Sequence, residues 1–178
     1  MKLTTLAFAL TSLAAATAAF ADEAIYAAAL PQKTLGVDAM AVLPVGDYAH
    51  AATVGLGVLG RFEAPAGPGF LTGRAGVIFH AMNTNADASL TFVPLYAGYR
   101  YPIGTSGMYV AGELGLTLAF GTVETQFGEM SASDSELGFS LMAGWRKNAI
   151  DFRAGLFVPD ADDAVGLVAS AGYDFAAF

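Results

Sequence analysis

From Thr34 onward, apolar residues recur at every second position. In Ser135–Pro159, Leu137, Phe139, Leu141, Ala143 and Trp145 form one series, and Gly138, Ser140, Met142, Gly144 and Arg146 form the other. After Lys147-Asn148-Ala149 the alternation resumes, with Ile150, Phe152, Ala154, Leu156 and Val158 set against Asp151, Arg153, Gly155 and Phe157. A period of two over such lengths predicts strands with one apolar face. Eight strands are expected, over about 34–43, 53–63, 70–82, 89–101, 108–121, 135–147, 150–158 and 164–175, each near the ~9–11 residues that cross a bilayer at a tilt.

The connectors alternate in character. "LPVGDYAHAA", "NTNADA", "GTVETQFGEMSASD" and "PDADDA" follow odd strands, while "APAGPG", "PIGTSG" and "KNA" follow even ones. Longer loops on one rim and short turns on the other are expected of outer-membrane barrels, although "NTNADA" and "PDADDA" are no longer than "APAGPG". The odd-to-even connectors are expected to face outside.

Charge decides which face looks inward. Arg61, Arg74, Arg100, Arg146 and Arg153 all fall on the face opposite the apolar one, and so do Asp38, Glu63, Glu113, Asp151 and Asp174. The signs balance, and nearly all these residues lie near the short-turn ends of their strands. A soluble barrel should be rich in Lys and Glu at all heights, yet beyond the first 21 residues the only lysines are Lys33 and Lys147. In a membrane barrel the apolar face meets lipid, where a mid-depth charge costs about 2–4 kcal/mol. The charges then belong in the lumen, paired to offset desolvation, and the planar fork of Arg suits that pairing. The reading is an all-β, closed antiparallel up-and-down transmembrane β-barrel. Phe62, Tyr99, Tyr101, Trp145, Tyr173 and Phe175, together with Phe70 and Tyr109, cluster towards the short-turn rim as an interfacial girdle.

Composition agrees. Only 13% of residues are charged and mean hydropathy is +0.53, too apolar for an ordinary soluble domain. The opening "MKLTTLAFALTSLAAATAAFADE" has a basic start, an apolar run and Ala19-Phe20-Ala21 before an acidic pair. It reads as a signal peptide, residues 1–21, removed on export. Residues 22–33 read as a periplasmic lead-in and 34–178 as the barrel. Beyond the signal no run approaches the ~20 apolar residues of a spanning helix, which leaves a closed barrel as the way to satisfy the backbone in lipid. With no cysteine, thiolate metal sites and thiol nucleophiles are excluded.

Candidate chemistry is sparse. His50 pairs in sequence with Asp47 in the first outer loop, and His80 lies near the outer end of the third strand with no adjacent Ser. Neither has the positioned partners that acid–base catalysis needs. The outer loops and strand ends carry Asp47, Asp87, Glu124, Glu129, Asp134, Glu136, Asp160, Asp162 and Asp163, with no Lys or Arg. Asp160, Asp162 and Asp163 in "PDADD" are weak candidates for a hard cation, without the Gly and terminal Glu of a calcium loop. Divalent cations bridging such carboxylates to lipopolysaccharide are candidate partners. Nucleic acid is disfavoured by charge sign, and "GLGVLG" sits within a strand, so it is no phosphate loop. No cofactor is expected.

The chain resembles the small eight-stranded outer-membrane β-barrels of Gram-negative bacteria, a group that includes the transmembrane domain of outer-membrane protein A. The matching stretches are the signal peptide, "LPVGDYAHAATVGLGVLGRFE", "VPLYAGYRY", "MYVAGELGLTLAF" and "AGYDF". The resemblance implies insertion by the barrel-assembly machinery into outer-membrane lipid and lipopolysaccharide, and a last strand closing on Phe. Phe175 shares the lipid-facing parity, whereas Phe178 does so only if a bulge intervenes. It implies no single activity. A non-enzymatic structural or surface-interaction role is expected, against three alternatives: a small pore or uptake channel, a lipid A-modifying enzyme, and a soluble periplasmic lipocalin-like binder.

Overall fold

Alternation and a wealth of β-branched and aromatic residues produce eight strands: β1 (Thr34–Val45), β2 (Ala52–Ala66), β3 (Gly69–Met82), β4 (Ala88–Ile103), β5 (Met108–Thr125), β6 (Gly128–Lys147), β7 (Ile150–Asp160) and β8 (Ala164–Ala177). The computed structural model describes residues 32–82, 88–125, 128–161 and 164–178. The expected signal peptide, most of the lead-in, Asp87, Asp162 and Asp163 therefore lie outside the described residues. Each strand pairs antiparallel with the next, and β8 pairs with β1 to close the cylinder. Closure leaves no lateral edge along the wall, which is what lipid requires.

The short-turn rim follows from local chemistry. Asn148, at φ 56°, takes the left-handed conformation between β6 and β7, which Asn tolerates better than most residues. Gly67, at φ 57°, does the same between β2 and β3.

The opposite rim departs from expectation. "GTVETQFGEMSASD" is not a long loop. Pairing of β5 with β6 runs on through Val123 opposite Met130 to Thr125 opposite Gly128, leaving a two-residue connection. The alternating "TVET" extends β5, and Ala and Ser allow β6 to follow it. Within "LPVGDYAHAA", Leu43–Val45 complete β1, Gly46 turns the chain at φ 66°, and a five-residue helix, α1 (Asp47–Ala51), folds over the barrel mouth. Periodicity tuned to strands does not register so short a helix.

The apolar series faces outward. Leu56, Leu71, Phe79, Leu114, Leu137, Phe152 and Phe175 are all well exposed, whereas the charged series is buried inside. Val158 departs from its outward series and is buried, because β7 breaks register with β8 between Phe157 and Asp160. At the terminus β8 carries a bulge: Gly36 pairs with Asp174, but Leu35 pairs with Ala176. That extra residue lets Phe178 exchange two backbone hydrogen bonds with Lys33, each 3.0 Å, and shares the outward parity of Leu35.

Candidate functional site: a two-layer lumen

The inner face is divided by height. At the short-turn end, charged residues from every strand converge: Asp38 from β1, Arg61 and Glu63 from β2, Arg74 from β3, Arg100 from β4, Glu113 from β5, Arg146 from β6, Asp151 and Arg153 from β7, and Asp174 from β8. Arg61 lies at 2.5 Å from Asp38, 2.7 Å from Asp174 and 3.3 Å from Asp151. Arg74 bridges Asp38 at 3.0 Å and Glu113 at 3.3 Å. Glu63 collects Arg100 at 3.0 Å, Arg146 at 2.5 Å and Arg153 at 3.0 Å. Arg146 reaches Asp174 at 2.5 Å, and Arg153 reaches Asp151 at 3.2 Å and Glu113 at 3.5 Å. Through these contacts the ten charged side chains form one connected network on the inner face.

Its supports are equally local. Tyr109 donates to Asp151, Thr72 donates to Glu113 at 3.2 Å and Ser140 donates to the same carboxylate at 3.1 Å. The Arg100 guanidinium sits 4.1 Å above the Phe70 ring and 5.1 Å from that of Tyr109. Gly172 stands opposite Asp38 and Gly36 opposite Asp174; a methyl group at either would overlap Asp38, Asp174 or Arg61. The charges fit because the partner strand presents no side chain.

Above this layer the lumen is apolar. Met40, Val42, Ile78, Phe92, Phe157 and Val168 are buried together. Tyr48 of α1 descends onto them, shares a 2.6 Å hydrogen bond with Nε2 of His80, and packs with His80 and Phe92 at centroid distances of 5.5 and 6.0 Å. Burial holds the Tyr48 phenol above its ordinary pKa, so it stays neutral. Tyr96 bonds Thr117 at 2.8 Å between the two layers. At the outer mouth an open vestibule of about 500 Å³ is lined by Tyr48, Leu90 and Phe92 below and by Asp47, Asp134, Glu136 and Asp160 around it.

Of the aromatic residues expected in a girdle, Phe62, Tyr101, Trp145, Tyr173 and Phe175 are exposed on the outer wall near the short-turn rim, with Tyr99 half-buried and donating to the Ala66 carbonyl at 2.7 Å. Trp145 donates to the Ser106 carbonyl at 3.1 Å. Phe70 and Tyr109 do not belong to the girdle. They sit against the arginines, with Tyr109 1% exposed, and the parity they share with Thr72 and Glu113 gives the reason. His50 is exposed in α1. Asp160 ends β7 at the vestibule, and among the described residues no three His, Cys, Asp or Glu side chains gather to hold a metal. Sequence reading missed the apolar upper lumen and the stopper Tyr48. Met40, Val42, Ile78 and Val168 share the parity of the charges, which was the available signal. Tyr48 left none, since its position depends on α1 folding back.

A closed eight-stranded cylinder with hydrocarbon outside and paired charges within is a transmembrane β-barrel of the outer-membrane type. No protein-family model and no curated protein matches the chain. Solved structures do. Ail, the attachment invasion locus protein of Yersinia pestis, superposes with a TM-score of 0.63 at 12% identity, over 82% of this chain and 98% of Ail. Ail in complex with the heparin analogue sucrose octasulfate gives 0.65 at 15%, over 82% and 100%. Neisserial surface protein A gives 0.50 at 16%, over 80% and 97%. At such identities the likeness is one of fold: this chain has the fold of the small eight-stranded outer-membrane barrels.

Proposed function

We propose that this protein is a non-enzymatic integral outer-membrane barrel whose lumen is shut by its ionic layer and whose role is contact at the cell surface through its acidic outer end. The observation that carries the reading is the single network of ten charges drawn from all eight strands, roofed by an apolar layer. An eight-stranded interior is just wide enough for side chains, and here those side chains grip one another. His80 supports the non-enzymatic part, since its partner is a tyrosine held in an aromatic cluster. The reading includes export through residues 1–21 and insertion by the barrel-assembly machinery. It also sets the barrel among outer-membrane lipid and lipopolysaccharide, with divalent cations bridging outer carboxylates to lipid phosphates.

Ail has been captured with a sulfated polyanion. The outer end of this chain carries Asp47, Asp134, Glu136 and Asp160 and no Lys or Arg, so the partners it attracts are basic. Recording from the purified protein in planar bilayers tests the closed lumen. The expected trace has no steady, large openings; sustained conductance overturns the reading in favour of a channel.

A further inference from the structure

The vestibule at the outer mouth has a floor. The apolar layer closes it from below, and α1 lowers Tyr48 onto Phe92. Its volume, about 500 Å³, is that of a small-molecule pocket. Its lining is divided by height. Leu90, Phe92 and the Tyr48 ring supply carbon at the bottom, and Asp47, Asp134, Glu136 and Asp160 supply carboxylates around it. The division follows from the strands. In β4 the inward series stays apolar through Phe92 and Leu90. In β6 it passes from Ser140 and Gly138 to Glu136 and Asp134. Asp47 arrives on α1, and Asp160 ends β7.

This lining selects a charge and a body. Its two side-chain hydroxyls, of Tyr48 and Thr117, are both engaged, at 2.6 Å with His80 and at 2.8 Å with Tyr96. Among the described residues that line the space there is no Lys or Arg. An anion would meet carboxylates and no opposing charge. A bare metal ion needs several oxygens at ligating distance, and among the described residues no three acidic side chains gather that closely. A neutral apolar molecule would gain from the floor and nothing from the carboxylates. An organic cation uses both. Its diffuse head is attracted by carboxylates that stand apart, and its carbon body lies on rings whose faces favour positive charge.

We infer that the vestibule is a binding site for a small organic cation: an ammonium group carried on an apolar or aromatic body. The inference rests on the closed lumen proposed above, since only a shut barrel makes the vestibule a dead end. The body settles against Leu90, Phe92 and the Tyr48 ring, and the ammonium lies among Asp134, Glu136, Asp47 and Asp160. Burial of the body supplies affinity, and the carboxylates supply selection by sign and speed the approach at low salt.

The test titrates the full barrel in nanodiscs of zwitterionic phosphatidylcholine and follows amide NMR shifts, with empty nanodiscs as the blank for partition into lipid. Three probes take the ligand apart. Benzyltrimethylammonium carries both features, tetramethylammonium the charge alone, and benzyl alcohol the ring alone. Benzyltrimethylammonium is expected to saturate, with shifts concentrated at Tyr48, Leu90, Phe92 and Asp134. It should bind about tenfold more tightly than either fragment. Asp134→Asn with Glu136→Gln weakens it about tenfold. Leu90→Asn weakens it about fivefold through lost apolar contact and leaves tetramethylammonium unchanged. Heat-modifiable gel migration confirms that each variant is folded. Shifts that never saturate, equal affinity for benzyl alcohol, or no effect of either variant overturns the inference. Sustained conductance of the same preparation overturns the closed lumen and the dead end with it. Loss of saturable binding in a silent barrel overturns the inference alone, so the two failures are distinguishable.

Discussion

The two halves of the lumen solve the same problem by opposite means. Both fill a cylinder whose outer wall is hydrocarbon. The short-turn half does it with ten ionised side chains that depend on one another. The outer half does it with Met40, Val42, Ile78, Phe92, Phe157 and Val168, which pack without directional demands. In the ionic half, each group removed takes an ion-pair partner away from charges that stay buried. In the apolar half, each group removed leaves only a cavity. The first half should therefore be intolerant of even conservative change, and the second forgiving.

The sharpest break is at Glu63, which accepts Arg100, Arg146 and Arg153 at once with its side chain 1% exposed. Glu63→Ala takes from Arg100 its carboxylate partner among the described residues and removes one partner each from Arg146 and Arg153; it is expected to cost about 3–5 kcal/mol, read by urea unfolding of the protein in lipid vesicles. A cost under about 1 kcal/mol, no more than that of an exposed surface pair, would mean that water screens the ionic layer.

The outer wall sets the comparison's boundary. Leu116, half-exposed in mid-β5 and facing away from the lumen, is the place to ask whether charge is tolerated only inside. Leu116→Arg is expected to cost about 2–4 kcal/mol if that face meets the bilayer midplane. In a water-soluble barrel the same change would be nearly neutral, so the unfolding midpoint in vesicles separates the two settings.

A pair of conservative swaps then contrasts the layers directly. Arg61→Lys keeps the charge but loses the fork that reaches Asp38, Asp151 and Asp174. Losing one charge-assisted hydrogen bond of this kind costs about 1.5–3 kcal/mol. Ile78→Val, at a fully buried position of the upper layer, should cost about 0.5–1.5 kcal/mol. Equal costs would erase the distinction between the layers.

The architecture was legible because a period of two survives through most of each strand, though it breaks late in β7, and because arginine parity reveals which face is inside. The same parity sets the arginines and their acidic neighbours opposite the exposed apolar series. The outer rim was not legible. "GTVETQFGEMSASD" is rich in the Ser, Gly and acidic residues that also make loops, and only pairing of Val123 with Met130 and of Thr125 with Gly128 turns it into a hairpin. Phe70 and Tyr109 were misplaced because aromatic residues suit both a lipid interface and a guanidinium face, and composition at one height does not tell these apart. Parity does, as it does for the upper core.

The smallest effect concerns the join between the upper layer and the outside. Among the described residues, Tyr48 is the one lumen residue delivered by a helix instead of a strand, and its hydroxyl is held by His80 at 2.6 Å. Tyr48→Phe keeps the ring against Phe92 and removes that hydrogen bond. The expected cost is about 0.5–1.5 kcal/mol, and it should be local. Amide exchange should quicken across α1, residues 47–51, because a short segment with few buried contacts opens independently of the sheet. Exchange at Asp38, Glu113 and Asp151 should be unchanged, since the apolar residues between separate them from the stopper. If loosening α1 also speeds exchange in the ionic layer, the two halves act as one cooperative core, and the division by height describes composition without governing energetics.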